Sequence, residues 1–299
     1  MSEYHNPVLL KASIDALVTN TSGVYADATF GGGGHSREIL GRLSPEGRLF
    51  AFDRDEDALE NAIDDPRFIL VHNNFRFIHN YAVLHGVQFD GILADLGVSS
   101  HQFDTADRGF SFRFGAPLDM RMNRQGTKTA SDIVNSYTQE ELENVLRIYG
   151  EVDSARRVAG LIVSARAKSP ILSTDDLDNA VAASLPSFAA HKSLAKIYQA
   201  LRIEVNQEMR SLEKFLPGAA LSLKQGGRLA VITYHSLEDR MVKNFIRTGR
   251  TDGEAVKDIY GNTDAPLRAI VRKPILPEEE EIASNTRARS AKLRVAEKI

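Results

Sequence analysis

Asp27-Ala28-Thr29-Phe30-Gly31-Gly32-Gly33-Gly34-His35 is the stretch whose reading decides the fold. It is preceded by a short strand pattern, Val24-Tyr25-Ala26, that runs into it, and followed by a helical pattern over residues 35–43. A glycine-rich turn between strand and helix is the setting of a nucleotide-binding turn. Glycine tolerates positive φ there and lets a ligand come close to the backbone. About 20 residues on, Asp53 closes a second strand, where a carboxylate can accept hydrogen bonds from a ribose diol. A purely structural glycine loop explains the turn but leaves Asp53 unaccounted for.

Working outward, the same rhythm continues. Asn6 reads as an N-cap and Pro7 as the first position of a short amphipathic helix carrying Val8, Leu9, Leu10, Ile14 and Leu17. Strands are expected at 24–29, 48–53, 68–71 and 90–95, with a helix at 55–62. Strands separated by helical patterns imply right-handed βαβ units and a parallel sheet. From 130 to 215 nearly everything reads as helix: a capping-box start at Thr138-Gln139-Glu140-Glu141, then 152–167, 174–185 and one long helix at 192–215, with Pro170 and Pro186 as breakers. Strand signals return at 228–234, 267–273 and 291–296, around a helix at 237–247. The expected fold is α/β: a Rossmann-like, mostly parallel seven-stranded sheet with an inserted all-helical domain. The expected boundaries are 1–105 with 216–299 for the α/β domain and 106–215 for the insertion.

The 299 residues are 42% hydrophobic and 26% charged, enough to bury a large core. No apolar run approaches the ~18 residues of a membrane span, and Met1-Ser2-Glu3-Tyr4-His5 carries no signal-peptide pattern. Cysteine is absent, which removes disulfides, thiolate metal sites and a Cys nucleophile and suits a cytoplasmic protein. The eight histidines form no H-x-x-x-H pair, so no metal is expected, and there is no G-x-S-x-G elbow. The net charge of -3 hides two basic stretches. Residues 101–128 hold Arg108, Arg113, Arg121, Arg124 and Lys128; residues 284–299 hold Arg287, Arg289, Lys292, Arg294 and Lys298. Ordinary solvated faces look the same on charge alone.

The cofactor reading turns on the glycine spacing. A dinucleotide pyrophosphate favours G-x-G-x-x-G, whereas Gly31 and Gly33 are followed by Ser36. S-adenosylmethionine has no phosphate, and an acid such as Asp27 before a loose glycine turn suits its amino-acid tail. Asp95, closing the fourth strand, points to the same crevice as Asp53, although capping the next turn is an equal alternative. Phe75 follows the third strand and can stack on adenine or pack in the core. Arg108-Gly109-Phe110-Ser111-Phe112-Arg113 interleaves cations with aromatics, as unstacked RNA bases and phosphates require, but on the residues alone a loop packed over the crevice is the favoured reading. His235 sits at the carboxyl edge as a candidate base, and Ser236 as an N-cap with Asp239.

Together these segments resemble the ribosomal RNA small subunit methyltransferase H family, also called MraW. The stretches that carry the resemblance are Tyr4 to Leu10, Asp27 to His35, Asp95 to Ser100, Arg108 to Phe112, Pro117 to Met122, His235 to Arg240 and Asn285 to Arg294. The resemblance implies a class I methyltransferase that uses S-adenosyl-L-methionine on the exocyclic N4 of a cytosine in the decoding region of 16S ribosomal RNA. The partner would be small-subunit RNA within the 30S particle; a homodimer stays open. It implies cofactor contacts at Gly33, Gly34, His35, Asp53, Phe75, Asp95 and Gln102. It names no catalytic base. Asp95, Asp119 and His235 are the candidates for accepting the amine hydrogens or the product proton. Arg108, Phe110, Phe112, Arg113, Arg121, Arg287 and Arg289 are the candidates for holding RNA, with Phe110 or Phe112 stacking on the base. Two other classes fit parts of the sequence: an NAD-dependent oxidoreductase, and a non-catalytic RNA-binding assembly factor.

Overall fold

The computed structural model describes residues 7–112, 115–185, 190–255 and 263–299. In chain order the helices are α1 (Leu10–Leu17), α2 (Gly34–Arg42), α3 (Glu56–Leu59), α4 (Ile78–Leu84), α5 (Ser100–Asp104), α6 (Ala130–Ser136), α7 (Gln139–Gly150), α8 (Ala155–Arg166), α9 (Thr174–Val181), α10 (Ala190–Asn206), α11 (Glu208–Ser222), α12 (Ser236–Thr248) and α13 (Glu279–Ser284). The strands are β1 (Val24–Asp27), β2 (Arg48–Asp53), β3 (Phe68–His72), β4 (Phe89–Asp95), β5 (Leu223–Thr233), β6 (Leu267–Ala269) and β7 (Lys292–Lys298).

The strands form one sheet in the order β3-β2-β1-β4-β5-β7-β6. The first five are parallel, and β7 runs antiparallel to both its neighbours. This is the mostly parallel, Rossmann-like seven-stranded sheet expected from the sequence. Strand parity sorts the side chains. Ala26, Phe50, Phe52, Ile92, Leu229 and Val231 face a core closed by Ile78 of α4, Phe215 and Leu216 of α11 and Phe245 of α12. Their neighbours Tyr25, Leu49, Leu93, Ala230 and Ile232 face the other way, onto Ile14 and Leu17 of α1 and Ile39 and Leu40 of α2. Both faces are covered, which is why these strands read as near-continuous apolar runs.

The chain divides into two compact units, Met1–Gly97 with Met209–Ile299, and Val98–Glu208. The boundaries expected at 105 and 215 both shift, for one reason each. Residues from Val98, including Phe103, pack with the helical unit's own core of Leu142, Leu146, Ile162, Leu177, Ile197 and Leu201. At the other end, α11 packs under the sheet beside α4, where Ser222 Oγ lies 3.1 Å from His79 Nδ1. The single helix expected at 192–215 is two, broken at Gln207, whose φ is 48°. One left-handed residue is invisible to hydrophobic periodicity.

Smaller differences share a local cause. α1 begins at Leu10, after Leu9 in a left-handed conformation at φ 52°, and the expected cap Asn6 lies outside the described residues, as does Pro186. α3 is a single turn, capped by Asp55 accepting from the Asp57 N–H. Helix α4 in the β3–β4 crossover was not expected, because His79 and Asn80 dilute its apolar repeat. At α12 the N-cap is His235 with Glu238 in the box, one residue earlier than the expected Ser236 and Asp239. The box at Thr138 and Glu141 forms as read.

Candidate active site

Parallel strands put all their carboxyl ends on one edge, so Asp27, Asp53, Asp95 and the residues after Thr233 gather there. The glycine turn is built from that edge outward. Gly31 and Gly33 have φ of 51° and 76°, a region costly for any residue with a Cβ. A Cβ on Gly33 would also stand 2.9 Å from the Phe30 ring. The Gly31 N–H donates to Asp53 Oδ2 at 2.8 Å and the Asp55 N–H to Oδ1 at 2.9 Å. The turn and the acid at the end of β2 therefore hold each other in place. Burial pushes the Asp53 carboxyl up, against these two N–H groups, which favour the ionised form.

Asp27 has a different job from the one expected. It is 1% exposed, and it accepts from Ser36 Oγ at 2.7 Å and from the Thr29 N–H at 3.1 Å. It ties the end of β1 to the first turn of α2, beneath the glycine turn, and does not itself present an acid to a ligand. Burial raises its pKa above the carboxylate norm.

Asp95 is the group with chemistry to offer. Its side chain is 22% exposed. Its own N–H donates to Thr29 Oγ1 at 2.7 Å, and the Tyr234 hydroxyl donates to its Oδ1 at 2.8 Å. His35 Nδ1 stands 3.8 Å from Oδ2, and His35 Nε2 lies 3.1 Å from the Val8 carbonyl. Burial pushes the Asp95 carboxyl up to about 6; His35 and the Tyr234 hydroxyl oppose that rise, while Asp27 and Glu238 add to it. A carboxylate poised near neutral pH at a sheet's carboxyl edge is suited to accepting a hydrogen bond or proton.

The whole of residues 2–299 matches the model of the MraW methylase family. The chain belongs to that family. A relative from Flavobacterium johnsoniae, named ribosomal RNA small subunit methyltransferase H, is 55% identical over 99% of this chain and 98% of its own. Relatives of the same name from Flavobacterium psychrophilum and Bacteroides fragilis are 53% and 52% identical, over 97% and 99% of this chain and 100% and 97% of theirs. Family membership makes the sheet that of a class I methyltransferase and S-adenosylmethionine its methyl donor. The dinucleotide alternative falls with it.

The site fits that donor. Gly33 and Gly34 open α2, Asp53 is half-buried with each carboxylate oxygen accepting one backbone N–H, and Phe75 lies half-buried after β3 with its ring 5.1 Å edge-on to Phe215. His35 is buried and links the turn to Asp95. Gln102 belongs to the helical unit. There it forms a capping box with Ser99, its Oε1 accepting from the Ser99 N–H at 3.1 Å.

Several residues assigned from sequence to catalysis or RNA do other work. Both Asp119 oxygens are committed to Arg121, at 2.9 Å to Nε and 2.7 Å to Nη2, so Asp119 is a loop brace and Arg121 its partner. Arg108 is buried and donates to the Arg121 and Met122 carbonyls. Phe110 is 5% exposed within the helical core and cannot stack on a base there. Phe112 is half-buried, 5.5 Å from the Tyr198 ring. Arg113, like Tyr4 to Asn6 of the resemblance, lies outside the described residues. Among the described residues of that region, Arg124 and Lys128 are the exposed cations. In the C-terminal stretch Arg289 is exposed and Arg287 half-buried, while Arg294 is tied to Asp239 at 2.7 Å. His235 caps α12 through Nδ1, accepting from the Glu238 N–H at 3.4 Å, with Nε2 3.1 Å from Glu238 Oε1. Nδ1 is committed to the helix start, while the buried Nε2 has no hydrogen-bond partner among the described residues. Thr29 and Tyr234 are the site residues that sequence reading missed. The available signal for Tyr234 was its place directly after β5, on the same edge as Asp95.

Proposed function

We propose that this chain methylates the exocyclic N4 of a cytosine in the decoding region of small-subunit ribosomal RNA, within the 30S particle in the cytoplasm. Small-subunit ribosomal RNA as the substrate rests on the shared name of relatives more than half identical across their full length; the cytosine N4 and the decoding region rest on the motif resemblance alone. The observation that carries the chemistry is Asp95, a half-buried carboxylate with one oxygen anchored, on the edge where the donor's turn lies.

When bound, S-adenosylmethionine supplies an electrophilic methyl group. Asp53 and Phe75 would hold the nucleoside end, and Gly33 and Gly34 would admit it to the backbone. The N4 amine is a weak nucleophile because its lone pair is delocalised into the pyrimidine ring. Asp95 would accept an N4 hydrogen, draw density onto nitrogen and stabilise the positive charge that grows there. Orientation of the amine then supplies much of the remaining acceleration. The base must leave its stack to reach the site. Among the expected RNA contacts, Arg289 joins Arg124 and Lys128 as an exposed cation able to meet phosphate.

The test is transfer of tritium from labelled S-adenosylmethionine to small subunits from a strain lacking the protein, followed by nucleoside analysis. Label in N4-methylcytidine supports the reading. Label in another nucleoside overturns the acceptor atom and leaves the methyltransferase standing. Donor binding without transfer to RNA makes the chain a binding factor.

A further inference from the structure

Asp95 has two oxygens, and the fold engages them unequally. Oδ1 accepts from the Tyr234 hydroxyl at 2.8 Å across a separation of 139 residues. Among the described residues no hydrogen bond reaches Oδ2, which stands 3.8 Å from His35 Nδ1. Tyr234 is itself fixed. Its backbone N–H donates to Glu238 Oε2 at 2.9 Å, and Glu238 is a buried carboxylate held in the α12 capping box. Its ring lies against Gly97, where an added Cβ would come within 3.2 Å of the ring edge at a φ of 106°. Gly97 therefore leaves the room that lets this ring reach Asp95.

We propose that Tyr234 is a positioning residue for methyl transfer: by anchoring Asp95 Oδ1 it presents Oδ2 to the acceptor amine. This rests on the reading of Asp95 as the group that accepts from N4. An unanchored carboxylate rotates freely about its terminal torsion, which is broad, and offers either oxygen in many orientations. The anchored one spends no entropy on alignment when the amine arrives. The hydroxyl also favours the ionised carboxylate, the form that accepts. The charged and titratable groups facing Asp95 are His35 on α2, Asp27 on β1, Glu238 on α12 and Tyr234 itself after β5. Of these, Tyr234 is the one that donates to Asp95 directly.

Tyr234→Phe in the full-length protein keeps the ring on Gly97 and deletes only the hydroxyl. S-adenosylmethionine affinity, read by calorimetry because the resemblance also places Asp95 among the cofactor contacts, should fall less than kcat, since the anchor acts on the acceptor side. The kcat on unmethylated small subunits should fall about tenfold, the scale of a lost hydrogen bond to a charged group. The Asp95 titration midpoint, followed by NMR of carboxyl-labelled aspartate, should rise, and the acid limb of the kcat profile should rise with it. A role in packing alone lowers the melting temperature and moves neither midpoint. An unmoved Asp95 midpoint overturns the anchor and leaves the Asp95 acceptor reading intact. A raised midpoint with unchanged kcat overturns the acceptor reading, and the positioning role with it. Asp95→Asn separates the two, because it removes the acid limb only if Asp95 is the acceptor.

Discussion

Asp95 shows how much one residue's environment decides. Its pKa of about 6 comes first from burial, with His35 and Tyr234 restraining the rise. Turnover should therefore climb from pH 5 to pH 7 as the carboxylate ionises, and Asp95→Asn should flatten that climb while lowering kcat about 100-fold, the usual scale for a group acting on a proton in flight. The stability consequence has the opposite sign. The folded-state pKa lies above the unfolded one, so the protonated form is the one the fold favours. Its contribution is fully present below the unfolded pKa and is lost as pH rises through about 6. Urea melts between pH 4 and pH 7 check this, with Asp95→Asn as the comparison: it should lose this component and keep those of Asp27 and Asp53, whose carboxyls burial also pushes up. Gly33 makes a second residue-scale prediction. Gly33→Ala forces a left-handed conformation on alanine and pushes a methyl to 2.9 Å from the Phe30 ring. It should cost about 1–2 kcal/mol of stability from the backbone alone and weaken donor binding more than it lowers kcat, as calorimetry and saturation kinetics would separate.

The elements divide into those set by local chemistry and those set by partners. Helices α6, α7 and α9 start where Thr129, Thr138 and Ser173 bond the N–H of an acidic residue at the third position. The end of α10 is set otherwise. Buried Asn206 accepts from the Met122 N–H at 2.8 Å and donates to the Met120 carbonyl at 2.7 Å, pinning the helix to a loop 84 and 86 residues away. Asn206→Ala would remove both bonds to buried backbone groups, and about 2–3 kcal/mol should be lost. Thr138→Ala, which removes an exposed cap, should cost about 1 kcal/mol. Chemical denaturation of both variants orders them; equal losses would mean that the loop finds other partners. The same contrast explains the reading of 192–215 as one helix. Apolar spacing continues across Gln207, and the interruption is made by a backbone conformation and a distant loop, neither written in the periodicity.

On the scale of the whole molecule, each unit carries its own core, and the helical one is built entirely from residues 98–208. The fragment 98–208 should fold alone, giving helical circular dichroism and one cooperative thermal transition; a gradual, non-cooperative melt would show that its core is incomplete. RNA binding belongs to this scale as well, because the net charge of -3 leaves attraction to local patches. Affinity for unmethylated small subunits should fall steeply with salt, and Arg289→Ala should lower the slope of log K against log salt by about one unit. Arg108→Ala should act instead through stability, since that side chain holds the loop from inside.

The sequence by itself determined what depends on neighbours along the chain. It marked the glycine turn between strand and helix, the parallel strands that both faces bury, the insertion of helices after β4 and the acid closing β2. Each of these is written within a few residues, by φ preference, by parity or by a cap. Only the tertiary structure decided which polar groups are left for chemistry. Asp27 and Asp95 both close a strand beside glycine, yet Asp27 is sealed by Ser36 and Thr29 and Asp95 keeps an oxygen open. Arg108 and Phe110, candidates for RNA once the resemblance was drawn, are buried in a loop and a core, as the packed-loop reading of their segment had it. Tyr234 gained a role from a carboxylate 139 residues away. Burial and long-range hydrogen bonds arise when distant segments pack, so no local spacing can announce which acid, cation or ring will be consumed by the fold and which will face the substrate.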